Sequence, residues 1–275
     1  MVYVSNAHVL GDFMSSLPTD IKAIFLDLDG TMYMGSNLIE GAHDFLERCK
    51  QHGVATFFLS NNSSRSVDQY RAKLEGFGIE ATESQILLST HDLIAWLQQN
   101  NITETWAVAT KGMCAMLEAV GITTRSINPQ YVVVGYDTEL TYEKISTASI
   151  HLHAGVPLVA SHPDMVCPSP QGGLPDTGSY LVMFEATTGV KPTHVSGKPN
   201  PGMILHKIEA LGLEPHQCAM VGDRLYTDIA MANRSGVHSV LVLTGEATME
   251  DVASLDEGSE FMPSIILDSV ADLLR

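Results

Sequence analysis

The segment at residues 23–31 (AIFLDLDGT) constrains the fold of this chain more than any other. Its apolar residues run directly into Asp27, Asp29 and Gly30, a pattern typical of a parallel strand that is buried on both faces and binds ligands at its carboxyl end. In a strand Asp27 and Asp29 point to the same side, and their like charges repel unless a cation or a shared proton offsets the repulsion. The segment therefore predicts a buried strand ending at a cation site. A solvated acidic turn is the alternative.

Composition limits the partners of this chain. Its 275 residues allow one large domain or two ordinary ones, and a hydrophobic content of 45% is enough for a packed core. A formal net charge of −17 argues against nucleic acid or an anionic membrane surface as a partner, since both would be repelled. The same charge repels phosphate esters, so a phosphate site here would need local lysine, backbone amides and a metal ion.

Cysteine usage and the absence of targeting signals predict a cytoplasmic protein. The four cysteines (Cys49, Cys114, Cys167 and Cys218) form no CxxC pair, so neither a disulfide framework nor a zinc site is indicated. The first twenty residues lack the pattern of a signal peptide, and no apolar run reaches the length of a membrane span.

The apolar patterns at both ends of the chain predict alternating strands and helices. Residues 9–17 are expected to form a short helix, and residues 31–39 a hairpin or loop. Apolar runs predict strands at 23–27, 54–59, 218–221, 238–243 and 265–267. Apolar spacings of three and four, together with helix-ending glycines, predict helices at 40–51, 67–76, 201–211 and about 227–236. This order predicts an α/β fold with a doubly wound parallel sheet.

The middle of the chain reads as a second α/β unit. Strands are predicted at 106–109, 131–134 and 158–160, and helices near 91–99, 113–120 and 142–153. A loop rich in proline and glycine, residues 163–179, precedes a helix that ends at Gly189. We therefore expect an inserted domain at residues 84–193 and a core formed by residues 1–83 and 194–275.

Polar side chains follow the predicted core strands at their carboxyl ends: Asp27, Asp29, Ser60, Asn61, Asp223 and Asp228. If the three strands concerned lie side by side in a parallel sheet, these side chains meet at one edge. Carboxylate and carbonyl oxygens are the ligands that Mg²⁺ prefers, and Lys198 adds a positive charge suited to phosphate. The spacing alone does not choose between a phosphate substrate and a structural metal ion.

Four motifs, taken in order, resemble those of the haloacid dehalogenase superfamily: residues 27–31 (DLDGT), Ser60-Asn61, Lys198, and Gly222-Asp223 with Asp228. Two segments, FLSNNS at 58–63 and GKPNP at 197–201, resemble its NagD-like and p-nitrophenylphosphatase-like subfamily. Ser60 or Lys198 alone would be almost no evidence, but the ordered set is specific. The resemblance extends from about residue 21 to the end and implies a Rossmann-like core with a type 2 cap, the domain inserted after the second motif.

The resemblance also implies a reaction and its residues. Asp27 would be the nucleophile that forms an aspartyl-phosphate, and Asp29 the general acid and base. Mg²⁺ would be held by the Asp27 carboxylate, the Asp29 backbone carbonyl and Asp223, with Asp228 orienting metal waters or Lys198. Ser60, Asn61 and Lys198 would hold phosphate. Similar enzymes direct a cap loop of this kind at the active site, which would bring His162 and Asp164 to the substrate; a purely structural, glycine-rich connection is the alternative.

The expected function is Mg²⁺-dependent hydrolysis of small phosphorylated metabolites, namely nucleotides or sugar phosphates. A phosphotransferase or mutase of the same superfamily is one alternative, and a binding protein that senses a phosphorylated metabolite without turnover is another. Caps of similar enzymes pair protomers, so a homodimer through the cap is also considered.

Overall fold

The computed structural model describes residues 16–169 and 171–274. The chain divides into a first compact unit, Met1–Leu59 with Ile204–Arg275, and a second, Ser60–Met203. The domain boundaries expected from the sequence, at residues 84 and 193, differ from these divisions and stay a prediction. The helix expected at residues 9–17 falls almost entirely outside the described residues.

In the described part of the chain, the strands in chain order are β1 (Ala23–Asp27), β2 (Tyr33–Met34), β3 (Asn37–Leu38), β4 (Ala55–Ser60), β5 (Ile86–Leu88), β6 (Thr105–Val108), β7 (Tyr131–Val134), β8 (Leu158–Ala160), β9 (Val166–Cys167), β10 (Leu174–Pro175), β11 (Pro192–Val195), β12 (Cys218–Gly222), β13 (His238–Val242) and β14 (Ile265–Leu267). The α-helices are α1 (Ala42–Gln51), α2 (Val67–Gly76), α3 (Ser89–Gln99), α4 (Lys111–Ala119), α5 (Tyr142–His153), α6 (Thr177–Thr188), α7 (Gly202–Leu211), α8 (Ala230–Ser235) and α9 (Met249–Ala253). A π-helical turn, Leu225–Ile229, leads into α8.

The first unit is built on a parallel sheet with β1 inside it. The strand order is β14-β13-β12-β1-β4, and Leu26 of β1 pairs with Val221 on one side and Phe58 on the other. All five residues of β1 are buried, as expected for a strand covered on both faces. The predicted side-by-side arrangement of β1, β4 and β12 is confirmed, so their carboxyl ends meet at one edge of the sheet.

The second unit has a parallel sheet of its own, ordered β11-β8-β7-β6. Successive residues of a strand face opposite sides, and β7 shows this clearly. Val133 joins an apolar cluster with residues of α3 and α4, whereas Val132 and Val134 join another with residues of α5 and α6. Helices therefore cover both faces, and the predicted second α/β unit is confirmed.

Some elements of the second unit were not predicted, and the short strand β5 is one of them. The loop expected at 163–179 contains a hairpin, β9 with β10, and α6 already begins at Thr177. The core was expected to resume at His194, yet His194 and Val195 pair with β8. Strand β11 is short, begins with proline and lies at the sheet edge, where little apolar patterning is needed.

Among the described residues, no helix is both long enough and apolar enough to cross a membrane.

Candidate active site

Three carboxylates meet in the first unit, at the carboxyl ends of β1 and β12. Asp27 is the last residue of β1, Asp223 follows β12, and Asp228 lies in the π-helical turn. One oxygen of each lies within 4.8 Å of the other two. The side chains are also buried, with Asp27 9%, Asp223 2% and Asp228 0% exposed. Sheet topology thus joins acids that are about two hundred residues apart in sequence.

Asp223 has the electrostatic properties of a metal ligand. Its Oδ2 accepts a hydrogen bond from the Glu246 backbone N–H at 2.8 Å, while its buried Oδ1 has no hydrogen-bond partner among the described residues. Burial, followed by the charges of Asp27 and Asp228, raises the pKa of Asp223 from 3.8 to about 8. A buried carboxylate oxygen beside two other carboxylates fits a divalent cation, which would satisfy the oxygen and offset the repulsion.

A buttress segment, residues 244–247 after β13, holds Asp223 in place. The Ala247 N–H donates to the Asp223 backbone carbonyl at 3.0 Å, and the Thr244 hydroxyl donates to the Gly30 carbonyl. A Cβ added at Gly245 or Gly30 would collide with the Asp223 carboxylate, so any other residue at either position would displace that carboxylate. Sequence reasoning missed this segment; its one signal is a Thr-Gly pair directly after a predicted core strand.

Arg224 brings a positive charge to this acidic region. Its Nε lies 3.0 Å from Glu246 Oε2, and the Tyr226 hydroxyl lies 2.8 Å from the other Glu246 oxygen. Burial is the largest single influence and disfavours the charged guanidinium, but the nearby negative groups, led by Asp223 and Asp27, together outweigh it and raise the pKa of Arg224. The Arg224 backbone N–H also donates to Asp228 at 3.1 Å.

Asp29 lies just beyond the strand and differs from Asp27 in exposure. Strand β1 ends at Asp27, so the same-side geometry expected for a continuous strand does not extend to Asp29. Asp29 is exposed, and the three-carboxylate group contains Asp228 instead. The predicted part of the Asp29 carbonyl in metal binding stays a prediction.

In the second unit, Asn61 and Lys198 are joined directly. Asn61 Oδ1 accepts a hydrogen bond from the Lys198 N–H at 2.7 Å, and Asn61 Nδ2 donates to the Lys198 carbonyl at 2.9 Å. Nδ2 also lies 3.2 Å from both carboxylate oxygens of Asp164. The structure therefore brings together three of the predicted site residues of this unit.

Ser60 and His162 are held by other contacts. Ser60 Oγ lies 2.8 Å from the Tyr70 hydroxyl. His162 is completely buried, with Nδ1 2.8 Å from Ser161 Oγ and Nε2 2.8 Å from Asp176 Oδ1. Although His162, Asp164 and Asp176 also lie close enough to share an ion, both ring nitrogens already have partners. The predicted substrate contact of His162 stays a prediction.

The sequence and the structure of this chain are similar to known phosphatases. Family models described as haloacid dehalogenase-like hydrolases match residues 24–123 and 195–273. An acid sugar phosphatase of Staphylococcus aureus is 31% identical over 92% of this chain and 98% of its own length. The solved 4-nitrophenylphosphatase of Thermotoga maritima is 35% identical, with a TM-score of 0.88 over 93% of this chain and 97% of its own.

A third similar protein was solved with a metal ion. It is a glycerol phosphate phosphatase of Mycobacterium tuberculosis in complex with calcium, 28% identical, with a TM-score of 0.82 over 91% of this chain and 74% of its own.

These similarities, together with the doubly wound sheet and the cluster of carboxylates, define the class of protein. The chain belongs to the haloacid dehalogenase-like hydrolases, in the NagD-like and p-nitrophenylphosphatase-like subfamily. It is therefore an enzyme, a phosphatase with the α/β core and the additional cap of that family.

Proposed function

We propose that this enzyme is a Mg²⁺-dependent phosphatase that hydrolyses small phosphomonoesters through an aspartyl-phosphate on Asp27. The observation that carries the proposal is the buried cluster of Asp27, Asp223 and Asp228, in which Asp223 Oδ1 has no hydrogen-bond partner among the described residues. Asp27 and Asp223 would hold the cation. When bound, Mg²⁺ would neutralise negative charge on the phosphoryl oxygens.

Asp27 and Asp29 divide the covalent chemistry between them. An Asp27 oxygen bonds to phosphorus as the bond to the ester oxygen breaks, and protonated Asp29 gives its proton to that leaving oxygen. Ionised Asp29 then takes a proton from water as the water oxygen bonds to phosphorus and Asp27 is released. Both aspartates are restored, and inorganic phosphate leaves. The solvent exposure of Asp29 supports this part, since it must meet both the leaving group and water.

Ser60 and Lys198 are assigned to the phosphoryl oxygens, with the Ser60 hydroxyl as a hydrogen-bond donor and the Lys198 ammonium as a positive charge. Lys198 is 4% exposed, and burial of this kind strengthens its interaction with an anion. Asp228 is assigned to orienting metal-bound waters or Lys198, and Asp164 to contacts of the cap loop with substrate. These roles rest on the order of the four motifs.

Sugar phosphates are the preferred substrate class, because a relative matched over nearly its full length is an acid sugar phosphatase. Nucleotides remain the second class to be tested. The cytoplasmic location and the homodimer through the cap stay predictions, and size-exclusion chromatography with light scattering tests the second.

The test is release of inorganic phosphate from p-nitrophenyl phosphate, sugar phosphates and nucleotides, with Mg²⁺ or with EDTA. We expect Mg²⁺-dependent release, and a loss of at least about 1,000-fold in Asp27→Asn, whose circular dichroism spectrum should show that the fold is intact. Phosphate bound without release would indicate a sensor, and its transfer to a second metabolite a phosphotransferase. Substantial activity of a pure Asp27→Asn preparation would contradict the nucleophile assignment.

A further inference from the structure

The side chain of Asn61 has no hydrogen-bond donor left for a phosphate group. Its amide nitrogen carries two N–H groups, one of which meets the Lys198 carbonyl at 2.9 Å. The other is directed to the Asp164 carboxylate, whose two oxygens both lie at 3.2 Å. The amide cannot be reversed, because Oδ1 accepts the Lys198 N–H at 2.7 Å.

The contacts of Asn61 instead fix the backbone at Lys198. Asn61 pairs with both the N–H and the C=O of this one residue, so it defines the position and direction of the peptide units on either side. Both partners are almost completely buried, and hydrogen bonds are stronger away from water.

The residues next to this pair are held as well. The Gly197 N–H donates to Asp92 at 2.9 Å, and the Ser89 hydroxyl donates to the Asn61 carbonyl at 2.7 Å. Gly197 has a φ of +71°, and a Cβ there would lie 2.7 Å from Asn61 Oδ1. The first turn of α3 and Asn61 therefore hold the backbone of Gly197 and Lys198 in place.

From this geometry we propose that Asn61 is a positioning residue for Lys198 and that its side chain does not bind phosphate. The proposal rests on the proposed function for the role of Lys198. In this arrangement Asn61 presets the backbone from which the Lys198 ammonium extends, so that little conformational entropy is lost when an anion binds. Asp164 holds the amide nitrogen in place from the other side.

The reactivity of Lys198 tests this directly, without substrate or metal. The full-length protein is treated briefly with formaldehyde and a borane reductant, and methylation of each lysine is followed by mass spectrometry, with exposed Lys22 as the internal reference. We expect Lys198 to react at least about tenfold more slowly than Lys22 in the wild type, and about tenfold faster in Asn61→Ala than in the wild type. Unchanged reactivity in Asn61→Ala would overturn the proposal.

Two further variants separate positioning from general loss of stability. Asn233, in the first unit, also fixes backbone through its side-chain amide, which donates hydrogen bonds to the Glu260 and Met262 carbonyls. Asn233→Ala is therefore the matched control. It should lower the melting temperature without changing Lys198 reactivity. If Asn61→Ala does not fold, Asn61→Ser serves in its place, because it shortens the side chain and brings no charge beside Asp164. Lys198 should also react faster in this variant than in the wild type, and unchanged reactivity would count against the proposal.

Activity adds an independent measurement. Asn61→Ala should lower kcat/KM for a phosphate ester by about 10- to 100-fold in the wild-type background and by no more than about twofold in a Lys198→Ala background. Equal losses in the two backgrounds would mean that Asn61 acts independently of Lys198, against the proposal. If the wild type releases no phosphate at all, the proposed function fails. The methylation experiment would still show whether Asn61 positions Lys198.

Discussion

At the scale of single residues, Asp223 is where burial and charge conflict most strongly. Removing a carboxylate from water beside Asp27 and Asp228 disfavours its ionised form, which is why the pKa of Asp223 rises to about 8. The unfolded chain has no such neighbours, so the same carboxyl there ionises near its ordinary value of 3.8. Between these two values the folded protein holds a proton that the unfolded protein releases. In the absence of metal, stability should therefore fall as pH rises through this window.

Asp223→Asn should raise the melting temperature of the metal-free protein near pH 8 and weaken this fall of stability with pH. The amide has nearly the same shape but carries no charge, so the repulsion from Asp27 and Asp228 is removed. Differential scanning calorimetry in EDTA from pH 5 to about pH 9 measures both effects. A lower melting temperature than the wild type at the upper end of this range would contradict the electrostatic argument.

The same variant provides a metal control. In the wild type, Mg²⁺ binds the folded state and should therefore raise the melting temperature. At one hundred times its dissociation constant, Mg²⁺ adds about 2.7 kcal/mol to the free energy of unfolding. Asp223→Asn should lose most of this increase, together with phosphate release. An increase equal to that of the wild type would place the cation elsewhere.

At the scale of secondary-structure elements, the buttress segment after β13 supports the metal site through its backbone. Two of its N–H groups donate to Asp223, and Gly245 lies against the carboxylate of that residue. The two neighbouring parallel strands thus lead to different parts of the site: Asp223 follows β12, and the segment that holds Asp223 follows β13.

Gly245→Ala should weaken Mg²⁺ binding by about 10- to 100-fold, because the added methyl group forces the Asp223 carboxylate out of place. The midpoint of the Mg²⁺-dependent rise in melting temperature measures this. Gly76→Ala is the matched control, since a Cβ there meets no atom within 4 Å. It should leave the midpoint at its wild-type value, and an equal shift in the two variants would argue against a specific effect of Gly245.

Helix α6 depends on an aspartate with two partners. Asp176 caps the helix by accepting the Thr177 N–H at 2.6 Å, and the same oxygen lies 2.8 Å from His162 Nε2. Asp176→Ala should cost about 2–4 kcal/mol, the sum of a lost cap and a buried histidine without its partner. Asp176→Asn keeps an acceptor for both and should cost about 1 kcal/mol. Equal losses in the two variants, measured by urea unfolding, would contradict this explanation.

At the scale of the whole molecule, the formal charge of −17 acts on stability. Like charges over the surface repel one another more strongly in the folded state than in the expanded unfolded chain. Raising NaCl from about 0.02 to 0.2 M shortens the screening length and should stabilise the protein by about 1 kcal/mol, or 2–4 °C in melting temperature. Asp223→Asn should keep this response while losing the response to Mg²⁺. A melting temperature that falls with NaCl would contradict the argument.

The sequence alone was sufficient for features that depend on local patterns. The apolar run at 23–27, the strands at 131–134 and 158–160 and the helix at 142–153 were predicted with the bounds that the structure has. Their periodicity follows from the geometry of one element against a core and needs no knowledge of its neighbours. The family and the phosphatase class were predicted because the motif residues stand at fixed positions along the chain. The second α/β unit was predicted because strand and helix patterns alternate in the middle of the chain.

Features that depend on contacts between distant segments were decided only by the tertiary structure. Strand β11, the hairpin of β9 and β10 and the buttress segment have weak patterns of their own, and each is held by pairing with or donating to another segment. The contacts of Asn61 are of the same kind, since its partners Lys198 and Asp164 lie more than one hundred residues away. Sequence spacing predicted that Asn61 belongs near phosphate, but the number of N–H groups left to bind it depends on where the folded chain places these partners.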